Sequence, residues 1–144
     1  LGAILALVHD VTITLGIFSL LSYEINLSIV AAILTIVGYS MNDTVVIFDR
    51  IRENLKKYSK ISFSDIANQS TNETLSRTLI TSVTTLLALF SIYIFGGAIL
   101  KGFSFAMIIG VIVGTYSSIF VATPILGYTK VSQETVLKKD TENN

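Results

Sequence analysis

LSIVAAILTIVGYSMNDTVVIF, residues Leu27 to Phe48, is a run of 22 positions with one charged side chain, Asp43. At ~1.5 Å rise per residue, a helix of this length just crosses the ~30 Å hydrocarbon core of a bilayer. The run therefore reads as a membrane span, and Asp43 as its anomaly.

Working outward, three further stretches have the same character: about Leu1 to Leu21, Leu79 to Leu100 and Phe103 to Tyr128. With 51% hydrophobic and 14% charged residues in 144 positions, the chain carries more apolar surface than a soluble domain of its length could bury. The expected fold is all-α: a polytopic transmembrane bundle of about four spanning helices over residues 1–128, followed by a polar tail over 129–144.

The gaps between the runs differ in kind. Ser22 to Asn26, holding Glu24, and Gly96 to Gly102, holding Lys101, read as short turns between antiparallel helices. Residues 49–76 form a long polar gap, predicted as a loop. Within it Ile61, Phe63, Ile66, Ala67 and Leu75 outline a short amphipathic helix at the membrane surface, and Ser62 with Asp65 resembles a capping box. Nine of the ten basic residues fall in this gap, at Arg77 beside it, or in the tail. The positive-inside rule makes that side cytoplasmic and places both chain ends inside.

Other chemistries find little support. The chain has no Cys and one His, which argues against thiolate or His-rich metal sites, and no Gly-rich phosphate loop is present. A net charge of zero excludes a strongly basic nucleic-acid footprint. Neither an enzyme nor a cofactor is expected. The chain starts at Leu1 inside an apolar run, without Met, and is expected to be a piece of a longer protein.

An ionisable group inside a bilayer costs at least a few kcal/mol, so each one asks for a reason. Asp43 lies 16 residues, ~24 Å, past the outer end of its span, and Arg77 lies 18 residues, ~27 Å, from the outer end of the next near Phe95. Opposite charges at similar depth can pair if the two spans pack together, and protonating the Asp would release the Arg. Tyr39 and Asn42 flank Asp43, while Thr81, Thr84 and Thr85 follow Arg77 at helical spacing. The plainer alternative is a static staple, with Arg77 reaching to the headgroups. His9 and Asp10 in the first span are weaker candidates, since neighbours on a helix point ~100° apart. Gly110 and Gly114 form a small-residue pattern that permits close helix approach, and Pro124 marks a kink or the last turns of its helix.

GYSMNDTVVIFDRIRENL, Gly38 to Leu55, resembles the signature of the SecD/SecF family of protein-export membrane proteins, in its SecF rather than its SecD form. ALVHDVTITLG (Ala6 to Gly16), SRTLITSVTTLL (Ser76 to Leu87) and FGGAILKGFSFAMIIGVIVGTYSSIFVA (Phe95 to Ala122) resemble further segments of that family in its order. The resemblance implies the C-terminal membrane portion of an RND-like six-helix bundle, without the first span, the large periplasmic domain and the second span. It implies a subunit of the SecD/SecF complex that assists preprotein translocation at the SecYEG channel of the bacterial inner membrane, with the proton as coupling ion. SecD and the translocating preprotein are the implied partners, with YajC and YidC as further candidates. The family's relay Asp and partner Arg fall on Asp43 and Arg77; Asp10, His9, Asn42, Thr81 and Thr84 are candidate second-line or relay residues. Two rival readings stand: a proton-coupled exporter of small molecules or lipids, and a structural scaffold in which the charges only staple helices.

Overall fold

A computed structural model describes residues 2–58 and 60–128. Among them the chain forms α1 (Gly2–Leu20), α2 (Leu27–Lys57), α3 (Phe63–Phe95), α4 (Gly97–Ser117), a π-helical turn (Ser118–Ala122) and α5 (Thr123–Tyr128), with no strand. Four units are long and apolar enough to cross a membrane: α1, α2, α3, and α4 continued through the π turn and α5.

Each joint follows from local chemistry. The α1–α2 turn takes Ser22 through a left-handed φ of 55°, and the Asn26 side chain then caps α2 by accepting from the Ile29 N–H at 3.1 Å. The Ser62 hydroxyl accepts from the Asp65 N–H at 3.3 Å and donates to the Asp65 carboxylate at 2.6 Å, so Ser62 caps α3 as expected, with the carboxylate on the Ser62 hydroxyl in place of the backbone N–H of a full capping box. Two boundaries differ from the sequence reading. Residues 49–76 are not a loop: α2 runs on to Lys57 and α3 starts at Phe63, so the predicted short amphipathic helix is the first turns of α3. The last hairpin turns at Gly96–Gly97, with Gly97 at φ 76°, at the start of the Gly96–Gly102 gap expected for it, and Lys101 and Gly102 already belong to α4. A side chain at Gly96 would overlap the carbonyl of Ile92, so the turn needs this glycine pair.

Packing places α4 at the centre: half of its span is buried (50%), against 17% for α3. Large apolar side chains such as Leu20, Leu27, Phe95 and Ile99 remain exposed, as a lipid-facing surface requires. The α2 residues Ile29, Ala32, Ile36, Ser40, Asp43, Thr44, Ile47, Ile51 and Leu55 form one buried stripe at spacings of three and four. Its N-terminal part joins a core with Phe18, Leu89, Ala106, Met107, Ile108 and Val111, and its C-terminal part joins a second core with Ile66 and Ala67. Between the two apolar cores lies a polar layer. At Gly110 the α2 and α4 backbones come so close that an added Cβ would overlap the Ile36 side chain.

Candidate functional site in the bundle interior

The polar layer is built from hydroxyls at helical spacing. Ser40 and Thr44 on α2, Thr78 and Ser82 on α3, Ser117 and Ser118 on the last helix, and Asp10 and Thr14 on α1 are all buried. Groups buried at membrane depth must find partners within the protein, and most of these do. Tyr39 Oη donates to Ser82 Oγ at 3.3 Å, and Ser82 Oγ meets Thr115 Oγ1 at 2.6 Å, linking α2, α3 and α4. Thr44 Oγ1 meets Ser118 Oγ at 3.1 Å.

The two carboxyls in this layer have unlike surroundings. Asp10 is fully enclosed. Its Oδ2 accepts from Ser40 Oγ at 2.5 Å and from Ser117 Oγ at 2.8 Å, and its Oδ1 lies 3.1 Å from His9 Nδ1. Asp43 is buried too, yet its Oδ2 has no hydrogen-bond partner. Arg77 on α3 is exposed and makes no hydrogen bond to that oxygen. A buried carboxyl oxygen without a donor is an arrangement that can take up a proton.

Of the other residues singled out from the sequence, Asn42 and Thr84 are exposed. Thr81 Oγ1 donates to the Arg77 carbonyl at 2.9 Å and Thr84 Oγ1 to that of Ile80 at 2.8 Å, so both hydroxyls serve their own helix. The inward polar face of α3 is instead Thr74, Thr78 and Ser82, a set of i, i+4 steps that the sequence displays beside the Arg77–Thr81–Thr85 set. Ser40 and Thr44, one turn apart, carried the same signal.

The last helix contributes a distortion at this level. Pro124 has no N–H to offer the Phe120 carbonyl, and the preceding turn widens to the π form over Ser118–Ala122, with Thr123 Oγ1 donating to the Ser118 carbonyl at 3.3 Å. The predicted irregularity at Pro124 is thus a π turn directly before it.

Toward the α2–α3 connection, Arg50 Nε donates to Glu73 at 2.5 Å and its Nη1 to Glu53 at 2.7 Å, joining α2 to α3. Buried Asn54 Nδ2 donates to Ser70 Oγ at 2.9 Å and to Glu73 at 3.1 Å, and Gln69 donates to Glu73 at 3.0 Å. These bonds from Asn54, Arg50 and Gln69 hold the Glu73 carboxyl at about 2, below the usual carboxylate range. An open cleft beside this cluster is lined by Val46, Asp49, Arg50, Glu53, Glu73, Thr74 and Arg77. A larger groove of about 580 Å³ lies between the start of α3 and α5, and neither Asp43 nor Arg77 lines it.

Known proteins share this sequence and backbone. A sequence model of the C-terminal part of the protein export membrane proteins SecD/SecF matches residues 1–132. Protein translocase subunit SecF of Rhodothermus marinus is 59% identical over 132 residues, covering 88% of this chain and 43% of that protein. The SecF subunit of Koribacter versatilis is 57% identical over 126 residues, covering 88% of this chain and 31% of its own length. The chain thus spans between 31% and 43% of these relatives. The crystal structure of SecDF from Thermus thermophilus, described as a translocon-associated membrane protein, superposes with a TM-score of 0.86 at 46% identity, over 90% of this chain and 18% of that one. A SecDF crystal structure in a super-membrane-facing form gives 0.86 at 42% identity, over 99% of this chain and 19% of that one. Agreement in both sequence and backbone, running through all four apolar helices, makes the chain a member of the SecD/SecF family of protein export membrane proteins, at that family's C-terminal part.

Proposed function

We propose that this chain is the proton-handling membrane part of a SecF-type subunit, which uses the proton-motive force to assist preprotein translocation across the bacterial inner membrane. The observation that carries this reading is Asp43, a buried carboxyl whose Oδ2 has no hydrogen-bond partner, Arg77 included. A proton arriving from the outer side binds the Asp43 carboxylate and cancels its attraction for Arg77. The helices α2 and α3 then shift, and the proton leaves through the cleft at Asp49, Arg50 and Glu73 on the cytoplasmic side. The work on the polypeptide would be done by domains outside this chain. No covalent catalysis is involved.

The membrane orientation in this reading has the α2–α3 connection and the C-terminus in the cytoplasm, from the distribution of Lys and Arg. SecD is the proposed partner because Asn42, Arg77 and Thr84 present polar side chains on the outer surface of a membrane bundle, where neighbouring helices would cover them. SecYEG and the preprotein follow as further partners, with YajC and YidC behind them. A scaffold that used the charges as a staple would have closed Arg77 onto Asp43; a small-molecule exporter would need a substrate cavity at Asp43, whereas the cleft lined by Arg77 does not include Asp43.

The test is secretion of a reporter preprotein from cells whose full-length protein carries Asp43→Asn, with membrane levels of the complex followed in parallel. Export should fall at least tenfold at normal complex levels. Unimpaired export would return the chain to a scaffold role.

A further inference from the structure

Ser40 precedes Asp43 by three residues and Thr44 by four, so all three lie on the buried face of α2. Ser117 directly precedes Ser118, which meets Thr44 and opens the π turn. Asp10 Oδ2 joins the first member of each pair, holding Ser40 at 2.5 Å and Ser117 at 2.8 Å. Two hydroxyl donors occupy both lone pairs of that oxygen. Asp10 thereby ties α2 to α4 one turn from the point where Asp43 Oδ2 stands without a donor. A rotation of α2 that turned Asp43 toward another donor would pull Ser40 off Asp10 and leave buried polar groups unpaired.

We propose that Asp10 is a positioning residue for Asp43: by gripping Ser40 and Ser117 it sets the rotation of α2 against α4 and keeps the Asp43 carboxyl short of partners. The proton is carried by Asp43, not by Asp10. This rests on the reading of Asp43 as the proton carrier. The ionisable groups around the pair are His9 beside Asp10 on α1, Asp49 and Arg50 further along α2, and Glu73 and Arg77 on α3. From Gly97 to Tyr128 the only charged residue is Lys101, at the opposite end. The environment of Asp43 is therefore set on the α4 side by hydroxyl geometry alone.

The experiment uses the full-length protein with its membrane partner in lipid bilayers. The carbonyl stretch of protonated Asp43, assigned by its loss in Asp43→Asn, is followed by infrared difference spectroscopy against pH. Measurements cover the wild type, Ser40→Ala/Ser117→Ala, each single variant and Asp10→Asn, with thermal unfolding recorded for all. The double variant keeps both carboxyls and should move the Asp43 midpoint by about one pH unit while retaining a cooperative folded transition at a lower Tm; Ser40→Thr, retaining the hydroxyl, should keep the wild-type midpoint. A midpoint unmoved in the folded double or single variants overturns the positioning role alone, as does a shift seen only in variants that have lost their folded transition. If the wild type shows no titrating Asp43 band, the proton-carrier reading falls and the positioning role falls with it.

Discussion

Asp43 and Asp10 show how little the identity of a residue says without its neighbours. Both are buried carboxyls, yet one is saturated with donors and the other has an oxygen with none. The sequence marks Asp43 and Arg77 by depth as well as by family resemblance, because a charge in an apolar run stands out whatever surrounds it. It ranked Asp10 lower and passed over Ser40 and Ser117 as partners, since a bond between residues 107 apart leaves no trace in spacing. Thr81 and Thr84 were drawn in by their spacing from Arg77, which placed them on Arg77's own outward face. At the Arg50–Asn54–Glu73 cluster the residue scale gives a pH prediction. Glu73 sits at about 2 when folded against an ordinary 4.5, so its contribution is complete above pH 4.5 and lost as pH falls through 2. Amide exchange around Asn54 and Ser70 should quicken between pH 4.5 and 2, after correction for intrinsic rates, and Glu73→Gln should abolish that dependence.

At the level of elements, the spans were legible because lipid demands long apolar runs, while their ends were not. The helix α2 continues through Asp49–Lys57 because DRIRENLKK contains no Gly or Pro to stop it; charge marks where the membrane ends, not where a helix does. The turn is shorter than the expected Gly96–Gly102 gap because Lys101, which looks like a loop residue, belongs to α4; its amine lies over the Tyr93 ring at 5.6 Å. The Ser62 cap was readable since its partners are three residues apart, and Ser62→Ala should cost about 1 kcal/mol, measured by denaturant unfolding in detergent. Gly110 gives a stronger test. Its neighbour Ile36 occupies the space a Cβ would need, so Gly110→Ala should destabilise the α2–α4 contact by about 1–3 kcal/mol and Gly110→Leu by more. Thermal unfolding of the two variants, with Gly102→Ala as a control at an uncrowded glycine, would check the order.

For the whole molecule, the antiparallel order of four helices follows from their short connections, and the proposed orientation from where the basic residues lie. It can be tested directly because the chain has no Cys. In sealed inside-out vesicles, a membrane-impermeant maleimide should label Lys60→Cys and spare Lys101→Cys, and intact spheroplasts should give the reverse. The centrality of α4 could not be read from sequence, since all four spans are similarly apolar and burial depends on which helices meet. What the two long helices do together is a matter of mechanics. From Asp43 to Lys57 and from Arg77 back to Phe63 each arm is 14 residues, ~21 Å, and the arms are fastened by Arg50, Asn54 and Glu73 and by the core of Ile51, Leu55 and Ile66. Under the proposed function the pivot would lie beside the charged pair, and a tilt of about 10° there would swing the far tip of this stiff fork by ~4 Å. In that reading a small change at one carboxyl reaches the α2–α3 connection as a displacement the size of a side chain.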